Sequence, residues 1–474
     1  MIIRRRRPGG SVERAGASAP ALPTLPVTRG RGLPARHAAL AVLVRVVQGG
    51  FADVLLGHRL SAFPDPADRR LITRLVLGTL AWQGRLDYEL AQLSARPLES
   101  LDPEVLAILR LALYQIRITT RIPAHAAVDT AVTLARTTRG GSGAAGFVNA
   151  ILRGTLRNPL PLPNRGKDEL GYLAAAYSHP RWIVERFVAW FGITAAEALM
   201  TANNEAAPNV IRLNLARGKA SRLIEQLRAD GIDATPTSRL PETAILASAP
   251  ALNSRAFRDG LCYPQSEASQ LVAAVLAPPH GATVVDCAAA PGGKSTHLTE
   301  MVGRIGRVIA LDLSHSGLRK VHSVAATLGH SNVATIRTDC AASIPLRPAS
   351  FDYVLLDAPC TGSGTFREHP EIRWRLEPQD FARMALLQSR MLEQAAMLLR
   401  PGGAIVYSVC SVAPHEGEGV VKALLRQHSD FVVDRSLASD NRFARLIGDD
   451  GFMRMRPDQG GLDGFFAARL KRIG

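Results

Sequence analysis

Thr283-Val284-Val285-Asp286-Cys287-Ala288-Ala289-Ala290-Pro291-Gly292-Gly293-Lys294-Ser295 is the stretch that decides the fold. A short apolar strand closes on an acid, small residues turn the chain, and a helical pattern follows. Small residues let the backbone approach a ligand closely, and a helix N-terminus offers free N–H groups. The loop is not the G-x-G-x-x-G dinucleotide fingerprint. It also lacks the longer Gly-to-Gly-Lys spacing of a phosphate-cradling loop.

Downstream, strands and helices alternate. Arg307–Leu313, Val333–Arg337, Phe351–Asp357 and Ala404–Val409 read as strands; Ser316–Leu328 and Gln379–Arg400 read as helices. Alternation predicts an α/β, doubly wound parallel sheet with its ligand at the carboxyl ends of the strands. Asp312 closes the second strand and can accept two ribose hydroxyls. Asp339 follows the third and can receive an adenine amino group. A single Asp at a strand end is more often a helix cap. Three in consecutive units, counting Asp286, suggest an adenosine-type ligand. Without a phosphate loop, S-adenosylmethionine fits better than NAD or ATP.

Two thiols end neighbouring strands at this same edge: Cys360 in Asp357-Ala358-Pro359-Cys360 and Cys410 in Tyr407-Ser408-Val409-Cys410-Ser411. Carbon 5 of a pyrimidine is a weak nucleophile. A thiolate that adds to carbon 6 makes carbon 5 enamine-like, able to take a sulfonium methyl. The carbon-5 proton must then leave and the thiol be eliminated, which is covalent catalysis with acid/base help. A thiolate beside Lys294 has reason to be acidic. Cys287 and Cys340 read instead as small core hydrophobes. Five cysteines with no C-x-x-C spacing argue against a disulfide framework or a zinc site, and no metal is expected. A reducing, cytoplasmic setting follows.

Upstream, residues 37–158 carry helical stripes such as Leu40, Leu43, Val44, Val47 and Leu106, Leu109, Leu113, Ile116. Arg110, Arg117 and Arg121 are candidates for an RNA-facing edge. A Pro-rich connector at Asn158–Pro163 predicts a boundary. A β-α-β-β order over 165–265 predicts a small α+β domain, and the α/β domain fills 266–474. Residues 1–36, rich in Arg, Pro and Gly, read as a disordered basic tail. The 57 basic and 41 acidic residues give +16, which favours a polyanionic partner. Only six of the basic residues are Lys, so an Arg-rich coding bias explains part of that charge. No apolar run of about 20 residues predicts a membrane span.

The motifs together resemble the RsmB (Sun) family of bacterial 16S rRNA cytosine-5 methyltransferases. The resemblance rests on Ala288–Lys294, Asp357–Cys360, Tyr407–Ser411, Asp463–Leu470 and Gln265–Val272, with Gly146–Arg153 and Pro123–Val128 similar to its NusB-like helical domain. It covers about 37–472. It implies an all-α NusB-like domain, a small α+β (RRM-like) domain and a Rossmann-like methyltransferase domain. It further implies Cys410 as nucleophile, Cys360 as the residue that helps release product, Asp357 on the cytosine ring and Lys294 near the site. Ala288, Ala289, Ala290, Pro291, Gly292, Gly293, Lys294, Asp312, Asp339 and Asp357 would hold S-adenosylmethionine. The partner implied is 16S rRNA, free or in a partly assembled small subunit, with no stable protein partner. The family usually has Thr where Val409 stands here, before the nucleophile. Three readings compete with this one: cytosine-5 methylation of tRNA or 23S rRNA, a NusB-like RNA-binding factor with an inert second half, and a methyltransferase for proteins or small molecules. The last leaves the paired thiols and the charge unexplained.

Overall fold

The computed structural model describes residues 32–120, 122–157, 160–248, 254–443 and 445–474. Two compact units emerge. One comprises Ala206–Thr365 and Leu376–Gly474; the other takes the chain up to Glu205 together with Phe366–Arg375.

The second unit is helical. Its helices are Leu33–Val47, Ala52–Leu60, Pro66–Ala81, Gln83–Ala91, Pro103–Arg117, Ala124–Arg136 and Gly141–Arg157, then Glu169–Tyr177, Arg181–Phe191 and Ile193–Ala202. Pro103–Arg117 shows why these sequences fold so. The Asp102 carboxylate accepts from the Glu104 and Val105 amides, and proline sits in the first turn. Leu109 and Leu113 are fully buried within the shared core. The first helix begins at Leu33, so residues 33–36 are helical, not part of a disordered tail. Ala35 is buried, and Arg36 donates to Gln115 Oε1 at 2.7 Å. The rest of that expected tail, residues 1–31, lies outside the described residues. Val47, expected on the apolar stripe, ends the helix 56% exposed. The candidate RNA edge is also largely used internally. Arg110 forms a two-pronged pair with Asp87 at 2.6 and 2.8 Å, and Arg117 binds Glu89 and the Thr155 carbonyl. Arg121 lies outside the described residues.

Phe366–Arg375 is a plug set into this helical unit. The Arg373 guanidinium, with no solvent exposure, donates to Asn204 Oδ1 (2.7 Å) and to the carbonyls of Asn203, Ser178 and Phe366. Trp374 Nε1 donates to the Leu80 carbonyl at 2.8 Å, and Glu371 Oε1 accepts from the Ala52 amide at 3.0 Å. Arg373→Met strands several buried acceptors at once, each costing about 1–3 kcal/mol. We expect a loss of roughly 3 kcal/mol or more in chemical denaturation of the full chain. A loss under about 1 kcal/mol would mean that the plug contributes little.

The other unit holds two sheets. The small one is β1 (Val210–Leu213), β2 (Ala234–Pro236), β3 (Ala244–Ala247) and β4 (Cys262–Pro264), in the antiparallel order β2-β3-β1-β4. With helices Ala220–Ala229 and Arg255–Arg258 this is a βαββαβ, ferredoxin-like arrangement. The sequence reading lacked β4, which has only three residues.

The large sheet contains β5 (Thr283–Asp286), β6 (Arg307–Asp312), β7 (Val333–Arg337), β8 (Phe351–Asp357) and β9 (Leu399–Val409), all mutually parallel where they pair. Side chains alternate along each strand. Val285, Val354, Leu356 and Ile405 join one core, while Val284, Leu355 and Val406 join the other. The sheet is mixed, which corrects the expectation of a purely parallel one. β10 (Phe431–Val433), β11 (Met453–Met455) and β12 (Phe465–Arg472) extend it, and β12 runs antiparallel to β9. Its order is β10-β12-β9-β8-β5-β6-β7, with β11 on β12. An antiparallel strand at one side of an otherwise parallel sheet is a common way to finish it. The chain order reverses beside β5, so a crevice opens at the ends of β5 and β8. Among the described residues, no helix is long and apolar enough to cross a membrane.

Candidate active site

The loop after β5 is shaped by burial and close approach. Gly292 has φ +112°, and a Cβ there would sit 2.9 Å from Val321 Cα. It caps the helix Gly293–Val302. At the end of β5, Asp286 is buried. Its Oδ2 accepts from Ser295 Oγ at 2.6 Å, whereas Oδ1 has no partner in hydrogen-bond geometry. Burial pushes this carboxyl up to about 6. At the end of β6, Asp312 is buried too; its oxygens accept from the Ala290 amide (3.0 Å) and the Ser314 amide (2.7 Å). Asp312 therefore clasps the Ala288–Gly293 loop from the neighbouring strand. Asp339, two residues past β7, is exposed and accepts from the Ala341 amide at 2.9 Å, so it also turns the chain locally.

Sequence reasoning missed a second clasp. Arg212, on β1 and without solvent exposure, donates to the Gly293 carbonyl (2.6 Å), Thr296 Oγ1 (2.9 Å) and Glu300 Oε1 (2.9 Å). It also reaches Gln265 Oε1. The small sheet thus pins the first turn of the helix after the glycine loop. The available signal was an arginine inside the apolar strand run Val210–Leu213, since a charge there needs a buried partner.

The thiols meet one strand over. β8 and β9 run in register with Asp357 opposite Ser408, and Cys360 and Cys410 follow their ends. The two Sγ atoms lie 3.2 Å apart. Cys360 is buried, whereas Cys410 is partly exposed. The Asp357 carboxylate accepts from Lys294 Nζ at 2.7 Å and from Ser408 Oγ at 2.7 Å. Lys294 Nζ stands 5.4 Å from the centre of the Phe465 ring. So the structure gathers Cys360, Cys410, Asp357 and Lys294 into one cluster. Lys294 and Asp357 link it to the glycine loop, and Asp339 is not part of it.

The electrostatics separate the two thiols. The hydrogen bond from the Cys360 thiol lowers the pKa of Cys410, against the opposing effects of burial and Asp357; Lys294 helps. The same hydrogen bond, then burial, holds Cys360 well above the usual thiol range. Burial works against the Lys294 ammonium, but Asp357 more than offsets it, and its pKa ends above the ordinary value. The two thiols are thus unequal, with Cys410 the more readily ionised of the pair. Cys287 and Cys340 are buried in the core, as expected.

The Asp463–Leu470 motif supports the Cys360 turn. The Gly464 amide donates to the Gly364 carbonyl at 2.8 Å, and a Cβ on Gly364 would fall 1.9 Å from the Gly464 oxygen. Only glycine permits that approach.

The chain matches three family profiles in order: the NusB family over residues 33–157, the RsmF/B-like ferredoxin-like domain over 179–253, and 16S rRNA methyltransferase RsmB/F over 273–471. A Bacillus subtilis protein, "Probable ribosomal RNA small subunit methyltransferase B", is 32% identical over 445 residues, 93% of this chain and 99% of the relative. The ribosomal RNA small subunit methyltransferase B of Thermus thermophilus is 36% identical over 439 residues, 92% and 98% of the two chains. The crystal structure of PH0851 superposes with a TM-score of 0.80 at 27% identity, covering 93% of this chain and 98% of that one. With relatives of this similarity running nearly end to end, and with the three family profiles matched along the chain, the chain belongs to the RsmB/F family of 16S rRNA methyltransferases.

Proposed function

We propose that this protein methylates carbon 5 of one cytidine in 16S rRNA, with S-adenosylmethionine as donor and Cys410 as covalent nucleophile. The observation that carries the reading is the pair of sulfurs 3.2 Å apart, with the more exposed one beside the Lys294–Asp357 pair.

The ends of β5 and β6 suit the donor. The unpartnered Asp286 Oδ1 fits a cationic amino group, and Asp312 braces the loop, whose Gly292 packs closely against Val321. When bound, S-adenosylmethionine supplies an electrophilic sulfonium methyl. The residues of the chain do the rest. The Cys410 thiolate adds to carbon 6 and makes carbon 5 electron-rich. Asp357, fixed by Lys294 and Ser408, orients the cytosine ring through a hydrogen bond. Once Cys410 is bound to carbon 6, Cys360 gives its own proton to water and, as a thiolate, takes the carbon-5 proton; the carbon 6–sulfur bond then breaks and Cys410 leaves as a thiolate. The base must leave its stack to reach these groups, at a cost of a few kcal/mol. The helical and ferredoxin-like domains present the RNA, and the cytoplasm is where that RNA is made and assembled.

The test is incubation of the purified full chain with unmodified 16S rRNA and labelled S-adenosylmethionine, followed by bisulfite sequencing. A single new 5-methylcytosine in 16S rRNA is expected. Methylation confined to tRNA or 23S rRNA, or at another atom, overturns the assignment. The brace at Asp312 gives a further expectation. Asp312→Ala frees the loop amide and should weaken S-adenosylmethionine binding about tenfold or more by titration calorimetry. Unchanged affinity would remove Asp312 from the donor site.

A further inference from the structure

A buried carboxylate stands behind both thiols, and neither the motifs nor the proposed chemistry uses it. Glu416 is fully buried. Its Oε1 accepts from the Thr361 amide at 2.8 Å and from Gln388 Nε2 at 3.0 Å. Its Oε2 accepts from the Thr361 and Ser411 hydroxyls. Its carbonyl accepts from Tyr407 OH. Thr361 follows Cys360 directly, and Ser411 follows Cys410. One side chain therefore ties the two cysteine turns together. Ser363 completes the knot, with its Oγ 2.9 Å from Ser411 Oγ.

Four donors converge on two oxygens. An ionised carboxylate, which only accepts, satisfies all four; a protonated acid or an amide would set a donor against a donor. The arrangement is also lopsided. Two of the four bonds come from Thr361, on the Cys360 side, and one from Ser411. On the other flank stands the Lys294 ammonium, paired with Asp357. Among the described residues, Asp286 acts on Lys294, and Tyr407 interacts with Cys360 while its hydroxyl is engaged by the Glu416 carbonyl. Glu416 places a negative charge against Cys360 alone, whereas Cys410 faces the Lys294–Asp357 pair, whose charges oppose one another; two chemically identical groups therefore sit in unequal fields.

We infer that Glu416 is the positioning residue that sets the division of labour between the cysteines: its charge keeps the proton on Cys360 while its hydrogen bonds fix both turns, leaving Cys410 as the thiolate. The direction of the Cys360 shift, to which Glu416 contributes, agrees. This deepens the function proposed above and rests on it only for its catalytic consequence, since the inequality of the thiols exists without RNA.

The experiment is therefore run on the full chain alone. Site-resolved alkylation by iodoacetamide is followed by mass spectrometry across pH. In the wild type Cys410 reacts first. Glu416→Gln keeps the volume and removes the charge; the Cys360-to-Cys410 labelling ratio should rise roughly tenfold, with the Cys360 midpoint moving down in pH. Glu416→Asp draws the charge back by one methylene and should move the ratio in the same direction by less. It carries the test if Glu416→Gln does not fold. A wild-type ratio in either folded variant overturns the inference, whatever the methylation assay reports. Conversely, a wild type that labels asymmetrically but methylates no cytosine discards the proposed function and leaves the role of Glu416 intact. In the methylation assay, kcat should fall in Glu416→Gln while KM for S-adenosylmethionine stays put.

Discussion

Cys410→Ala should abolish methyl transfer to rRNA, by on the order of 10⁴-fold or more, the scale expected when a covalent nucleophile is removed. Binding of S-adenosylmethionine stays within about twofold, because nothing at the Asp286, Gly292 or Asp312 end depends on that sulfur. The reasoning starts from the asymmetry of the pair. Cys410 is the partly exposed thiol, and its hydrogen bond with Cys360 and the nearby Lys294 both lower its pKa. A group that attacks carbon 6 must be accessible and readily ionised, and of the two thiols Cys410 is the more exposed and the one whose pKa is lowered. Tritium transfer to 16S rRNA, with calorimetry for the donor, checks both halves. If Cys410→Ala remains active while Cys360→Ala is dead, the roles are reversed.

Much of this site was legible in the sequence because parallel strands announce themselves as short apolar runs. Val333–Arg337 and Phe351–Asp357 are apolar or β-branched runs ended by charge, and the structure bounds them at the same residues. Strand ends in such a sheet converge on one edge, so Asp286, Asp357, Cys360 and Cys410 could be placed together before any contact was known. What was not legible depends on long-range pairing. β12 carries Arg469, Lys471 and Arg472, and local pattern gives no reason to lay it against β9. Its place is secured by Phe465 and Phe466 entering opposite cores. Glu416 lies in Ala413-Pro414-His415-Glu416-Gly417, a stretch with loop composition; its role exists only because Thr361 and Ser411 are brought to it from two strand ends. Arg373 is similar, a charged residue whose partners Ser178, Asn203 and Asn204 lie in turns after helices, some 170 positions away or more. Sequence patterns report what a residue needs from water; they do not report which distant group will satisfy it.

Cys360→Ala should convert a fleeting intermediate into a stable product. Addition of Cys410 to carbon 6 requires no help from Cys360, so the bond still forms and carbon 5 is still alkylated. The ring then holds a proton on carbon 5, and the thioether cannot leave until that proton does. In the wild type the group poised for this is 3.2 Å from the attacking sulfur; once Cys410 is bound to carbon and no longer accepts its proton, Cys360 releases that proton to water and the resulting thiolate takes the one on carbon 5. With Cys360 gone, the nearby Asp357 carboxylate is occupied by Lys294 and Ser408 and makes a poor substitute base. Turnover should drop by about 10²–10⁴-fold, the usual worth of a positioned acid/base group. A slow-migrating protein–RNA species should appear on a denaturing gel, dependent on S-adenosylmethionine and absent from the Cys360→Ala, Cys410→Ala double variant. Normal turnover with no adduct would give Cys360 no part in release. An adduct that survives loss of Cys410 would place the covalent bond on some other residue.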